Sequence, residues 1–161
     1  MIGLSKTMRV HMVQPLFLFL LFFVSTASFA QQGKLPTEDV IVRTSDGTEY
    51  TFASEMALTP EQQTVGMMFR TGMDEFEGML FVYEAPRRAS FWMRNTLIPL
   101  DMIFVRPNGR IANIIENAEP ETDTSRRSRG RVKAVLEIPG GRAAELGIKA
   151  GDLIIHPVFG G

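Results

Sequence analysis

The chain has no cysteine among its 161 residues. Disulfides, thiolate metal sites and a cysteine nucleophile are therefore excluded, and the fold must stand on its packed core alone. Histidine is nearly absent as well, with only His11 and His156, so imidazole catalysis has little to draw on. Ser90 has no histidine near it in sequence, and no Gly-x-Ser-x-Gly elbow occurs. There is one tryptophan, Trp92. An excess of one charge is also missing: 17 Lys and Arg face 18 Asp and Glu, which gives no electrostatic basis for a nucleic-acid partner. The one basic cluster, Arg126-Arg-Ser-Arg-Gly-Arg131, follows the acidic Glu116 to Asp123 stretch and is expected to be a solvated loop of mixed charge. No apolar run approaches the roughly 20 residues needed to span a bilayer.

What is present begins with a leader. Lys6, Arg9 and His11 precede the nine-residue apolar run Leu16 to Val24, and small residues follow, ending in Ala27-Ser-Phe-Ala30. Residues 1–30 are expected to be a secretory signal peptide cut after Ala30, which would place the protein in the periplasm or outside the cell with no membrane attachment. No cysteine follows the run, so no lipid anchor is available. Cleavage removes two of the 17 basic residues, Lys6 and Arg9, and none of the 18 acidic ones, leaving 15 against 18. After the leader, residues 31–37 are expected to be flexible, 38–157 to form a single β domain, and 158–161 a tail. A domain of this size buries about two-thirds of its unfolded surface and is expected to be a monomer.

The patterning is mainly that of short strands. Asp39 to Arg43 and Thr48 to Ala53 flank Ser45-Asp-Gly47, a hairpin signal. Val40, Val42, Tyr50 and Phe52 fall at period two, so each strand buries one face. Thr59-Pro-Glu-Gln62 has the N-cap, first-turn proline and capping-box glutamine of a helix start. That helix is expected over about 60–69, with Gly66 inside it. Gly78 to Tyr83, Asp101 to Val105, Arg110 to Ile115, Val132 to Ile138 and Asp152 to Ile155 read as strands, with Glu84 to Arg87 as a turn and a short helix over about 141–147. The sum is an antiparallel β barrel or sandwich of seven or eight short strands with one capping helix.

Polar residues concentrate in Phe91-Trp-Met-Arg-Asn-Thr-Leu-Ile-Pro-Leu-Asp101. Groups so dense inside an apolar run are costly to bury without partners. The segment is therefore either a polar lock, with Arg94 paired to Asp101, or part of a site. In a site, Trp92 is a stacking platform, Arg94 holds an anionic group, and Asn95, Thr96 and Asp101 orient the ligand, while Arg70 converges on the same mouth. The leading expectation is a non-enzymatic exported domain that recognises a small molecule, cell-envelope fragment or protein there. One rival is a hydrolase using Asp101 or Glu137 as acid/base, Glu137 being flanked by Val135-Leu136 and Ile138. Another is Cu(I) binding by the seven methionines after the leader (Met56, Met67, Met68, Met73, Met79, Met93 and Met102), since soft thioethers select that ion. The absence of any Met-x-Met ladder favours core packing for them, and no cofactor or metal is expected.

The segments Thr59-Pro-Glu-Gln62, Gly66-Met-Met-Phe-Arg70, Gly78-Met-Leu-Phe81 and Phe91 to Asp101 resemble a known family, catalogued as domain of unknown function 192. So do Val135-Leu-Glu-Ile-Pro-Gly140 and Leu146-Gly-Ile-Lys-Ala-Gly-Asp152. The resemblance spans Asp39 to Ile155. It implies a mainly β fold, often exported in bacteria, with no established biochemical function. Two positions depart from the family pattern: Arg94 stands where lysine is more usual, and Met67 where leucine is.

Overall fold

The computed structural model describes residues 34–160; the expected signal peptide and the first part of the expected leader lie outside them. The elements run β1 (Thr37–Arg43), β2 (Glu49–Ala57), α1 (Pro60–Val65), β3 (Glu77–Arg87), β4 (Ser90–Phe91) and β5 (Leu100–Val105). They continue with β6 (Ile111–Ala118), β7 (Arg126–Arg127), β8 (Val132–Pro139), α2 (Arg142–Glu145), β9 (Leu153–Ile155) and a final 3-10 turn, Pro157–Phe159. Seven strands form one curled sheet in the order β6-β5-β8-β3-β2-β1-β9, a half-barrel, and β4 pairs with β7 beside it.

The β1–β2 hairpin forms where Asp46-Gly47 predicts it. The Asp46 carboxylate accepts from the Thr48 N–H at 3.0 Å and the Thr44 hydroxyl at 2.6 Å, closing the turn. Of the expected flexible leader, the described residues 34–37 lie against the sheet. The Leu35 N–H donates to Glu55 at 2.8 Å, and the Pro36 carbonyl accepts from the Met56 N–H at 2.9 Å. α1 starts as expected: Thr59 and Gln62 complete a capping box, with Pro60 in the first turn. It ends earlier than expected, at Val65 rather than near 69. Gly66 takes φ 48°, ψ −126°, a conformation only glycine adopts without strain. A Cβ there would also meet the Phe81 ring at 3.1 Å. The glycine stops the helix instead of sitting inside it.

The sheet is antiparallel except between β2 and β3, which run parallel with Ala53 opposite Glu77. α1 and the segment after it supply the crossover that a parallel pair requires. The two edges meet at one corner. The Ile111 N–H donates to the Asp152 carbonyl at 2.9 Å, and the Ile154 N–H to the Gly109 carbonyl at 2.8 Å. Gly109 is required there, since a Cβ would lie 2.6 Å from the Ile154 carbonyl oxygen.

Burial divides in two. An inner cluster draws on all seven strands, among them Val40, Phe52, Leu80, Ile103, Ile111, Leu136 and Ile154, and so fills the curl. An outer cluster on the opposite face packs Met79, Phe81, Met102, Phe104 and Val135 under Met67, Ala89 and Met93 from the connecting segments. β8 lies between β3 and β5, hydrogen-bonded on both edges. Both of its faces are covered, so its residues 134–138 are all buried.

Asp101 ties this assembly together. It is fully buried. Its carboxylate accepts from the backbone N–H groups of Asn117 (2.6 Å), Gly141 (2.8 Å) and Ala143 (2.7 Å). It thereby binds β5 to β6 and to the turn after β8. It also caps α2 from a distance, because that helix begins at Gly141, which has no side chain to cap with. Asp101→Asn replaces an acceptor with an N–H donor facing N–H donors. Hydrogen bonds to charged groups contribute about 1.5–3 kcal/mol each, so the variant is expected to lose at least about 3 kcal/mol in urea denaturation. An unchanged midpoint would mean that the carboxylate holds nothing together.

Candidate functional site

The outer face of β8 and β3 is roofed by connecting segments rather than by a long helix, and a cleft of about 470 Å³ opens among them. The turn at Gly66 delivers Met67 and Met68 to one wall. β3 contributes Phe81 and Tyr83, whose side chains alternate onto the outer face. The segment after β3 brings Phe91 and Trp92 to the rim. Two stretches of this roof are stitched together. The Phe69 N–H donates to the Asn95 carbonyl at 2.8 Å, and the Asn95 amide points at the Met68 sulfur at 3.8 Å. Phe69 (φ 63°) and Asn95 (φ 56°) both adopt left-handed backbone, which is uncommon for a bulky phenylalanine. A third stretch is attached through the Met93 N–H to the Thr122 carbonyl (2.8 Å) and the Glu121 N–H to the Thr96 carbonyl (3.1 Å).

Glu137 of β8 lines the cleft from below. It is only 3% exposed and lies across from Met79 on β3 and Met102 on β5. Burial alone pushes its carboxyl up to about 8; no charge or hydrogen bond from the described residues contributes. Tyr83 nearby is pushed up to about 12, chiefly by burial. The Arg87 guanidinium rests 4.9 Å from the centre of the Tyr83 ring.

The sequence candidates part company here. Trp92, 49% exposed, and Thr96, nearly buried, line the cleft. Arg94 sits 4.2 Å over the Trp92 ring. The expected Arg94–Asp101 pair does not form: Arg94 makes a fork to Asp123, Nε to Oδ1 at 2.9 Å and Nη2 to Oδ2 at 3.0 Å. This bond holds the Asp123 carboxyl below the usual range. Asp101 is placed elsewhere, its carboxylate committed to three N–H groups. Arg70 also falls outside the cleft. It grips the Glu55 carboxylate with both Nη atoms, at 2.6 and 2.7 Å, beside a separate small crevice. Asn95 is exposed on the roof and does not line the cleft. The basic cluster is partly turned inward: Arg126 is buried and donates to the Thr124 and Glu119 carbonyls and the Thr122 hydroxyl.

Sequence reasoning reached Glu137 only as an alternative acid/base and did not select Tyr83, Phe81 or Phe91 for the site. The available signal was an acid set in the apolar strand Val135-Leu-Glu-Ile138. Of the methionines, Met79, Met93 and Met102 are core, while Met67 and Met68 line the cleft. Among the described residues no group of three or more His, Cys, Asp or Glu is placed to hold a metal ion.

Residues 41–156 match the family described as "Uncharacterized ACR", domain of unknown function 192. The chain is similar to a solved protein of unknown function from Novosphingobium aromaticivorans DSM 12444, at 45% identity and a TM-score of 0.75, over 78% of this chain and 89% of that one. It is also similar to a "putative transcription regulator" from Sinorhizobium meliloti 1021, at 35% identity and a TM-score of 0.76, over 79% of this chain and 98% of that one. No curated protein matches.

Glu137 makes a stability prediction. Its folded-state pKa lies above the unfolded value, so between about 4.5 and about 8 the folded chain holds a proton that the unfolded chain releases. Raising the pH through that window must therefore favour unfolding, by up to roughly 1.4 kcal/mol per unit. Glu137→Gln is expected to remove this slope, so the variant should be more stable than the parent at pH 8 by a few kcal/mol and little changed at pH 5. Urea denaturation at the two pH values checks it. Equal loss of stability at both would show that the carboxylate has an internal partner.

Proposed function

Starting from the fact that the chain belongs to the domain of unknown function 192 family, we propose that it is an exported recognition domain holding a small organic molecule in the cleft between Trp92 and Glu137. The observation that carries this reading is the Glu137 carboxyl. Withdrawing a carboxyl from water costs free energy, and strongly perturbed acids in clefts are candidates for function. Glu137 is 3% exposed and lines the cleft, whereas the side-chain atoms fully enclosed without a partner lie elsewhere, at Arg142 Nε and Asp152 Oδ1. A ligand that brings a hydrogen-bonding group to Glu137 offsets that cost. Half-exposed Trp92 offers such a ligand an aromatic face. The volume, about 470 Å³, lies within the ordinary range for small-molecule sites. Export rests on the leader: the basic residues, the short apolar run and the small residues up to Ala30.

The proposed mouth differs from the one expected from sequence. Trp92 and Thr96 remain and Glu137 joins them, whereas Arg70, Asn95 and Asp101 serve the framework. Arg94 no longer supports an anionic ligand, because Asp123 already fills its fork. The hydrolase reading keeps only Glu137 of its two acids. Asp123, the other carboxyl lining the cleft, is ion-paired, so a second free acid/base is not at hand. Binding is thus better supported than catalysis.

Trp92 is the chain's one tryptophan, which makes it a clean reporter. Natively purified protein is expected to carry a small organic molecule, released on denaturation and identified by mass spectrometry. Its removal should change Trp92 emission. Trp92→Ala should lower retention roughly tenfold, the scale of a lost aromatic contact. A protein that carries nothing, and whose Trp92 emission is unchanged by envelope extracts and by Cu(I), would sink the reading. A response to Cu(I) alone would favour the methionine site instead.

A further inference from the structure

Accepting the cleft as a binding site, we propose that its ligand is an organic ammonium ion, quaternary or methylated, seated among aromatic rings with its charge toward Glu137. Two features of the cleft meet in this chemistry. The first is the lining. Phe81, Tyr83, Phe91 and Trp92 all contribute, with Phe81 and Phe91 edge to face at 5.1 Å between ring centres. Aromatic rings grouped around a void attract cations through their electron-rich faces, and a poorly hydrated quaternary nitrogen gains most from this. The chain's own cations already use these rings: Arg94 lies 4.2 Å over Trp92 and Arg87 4.9 Å over Tyr83.

The second feature is the acid below the rings. Glu137 is nine-tenths and more buried and lines the cleft. A fixed positive charge in the cleft gives its carboxylate the partner that the described residues do not supply. Neutral ligands fit less well, since they leave either a buried acid proton or a buried charge poorly compensated. Anions fit worst once Glu137 is ionised, because they would then meet the carboxylate directly. Arg87 is the one cation among the residues lining the cleft; it rests over the Tyr83 ring and forms no ion pair with Glu137.

The pH dependence follows from the groups facing Glu137. β3 presents Tyr83, which stays neutral because burial pushes it up to about 12, and the Arg87 guanidinium. The roof segment presents Asp123, held ionised by Arg94. α1 and the turn after it present Gln63, Thr64, Met67 and Met68, and the Trp92 segment presents Thr96, none of which titrates. Between pH 6 and 9 only Glu137 changes charge among them, and it must lose its proton to pair with a fixed cation.

Choline and its neutral carbon isostere, 3,3-dimethyl-1-butanol, differ in charge but hardly in shape. Each is titrated into ligand-stripped full-length protein and followed by Trp92 fluorescence and calorimetry. Choline is expected to bind at least about tenfold tighter than the isostere at pH 8. Its affinity should rise about tenfold from pH 6 to 7 and flatten above pH 8. Glu137→Gln should remove the pH dependence and shrink the preference to what the rings alone supply. Choline binding no tighter than the isostere, or choline binding independent of pH, overturns the cation. If the isostere binds in that case, the cleft reading survives. If neither binds and natively purified protein carries no molecule, the cleft reading falls as well.

Discussion

Strand β8 has neither a free edge nor a free face, and that constraint governs the rest of the structure. It is hydrogen-bonded to β3 and β5 along its length. Leu136 and Ile138 point into the curl while Val135 faces the outer cluster. Any side chain placed on such a strand leaves water. At every position from 134 to 138 except 137 the sequence places an apolar residue there. Glu137 is the exception, and the cleft above it lies where short α1 and stitched segments, rather than a long helix, roof the outer face.

Two acids on adjacent strands show how environment decides role. Asp101 on β5 stands opposite Ile138, one step from the Met102–Glu137 pair. Both carboxyls are withdrawn from solvent. Asp101 accepts from three backbone N–H groups and so organises β5, β6 and α2. Glu137 receives no such bonds from the described residues, and burial keeps its proton on. The first ties the framework together, and the second lines the cleft. Neither the residue type nor its apolar neighbours separates the two cases; the orientation of surrounding N–H groups does.

That difference marks where the sequence stops being informative. The Asp46-Gly47 hairpin, the Thr59–Gln62 capping box and most strands follow from local chemistry, and local chemistry is visible in a sequence. So is the mainly β class. The helix end at Gly66 is not legible locally, because the Phe81 ring that lies against the glycine is fifteen residues away. The β2–β3 pair runs parallel through a crossover that turn signals do not announce. Ion-pair partners were hidden for the same reason. Asp123 is 29 residues from Arg94, and Glu55 is 15 from Arg70. Trp92 and Thr96, which line the cleft, stand out in the sequence because polar and aromatic types crowd one segment. The Tyr83, Phe81 and Phe91 rings do not, since single aromatics in strands look like core until the sheet shows which face lies open.

The role proposed for the cleft depends on the charge state of one carboxyl, Glu137. Carbon-13 NMR of the glutamate side-chain carboxyls across pH 4 to 10 measures it directly, with the Glu137 signal assigned by its loss in Glu137→Gln. One carboxyl is expected to remain protonated at pH 7 and to titrate near 8 in the ligand-free protein. If every glutamate signal instead moves through its transition at ordinary acid pH, Glu137 is already partnered or hydrated, and the central claim is contradicted.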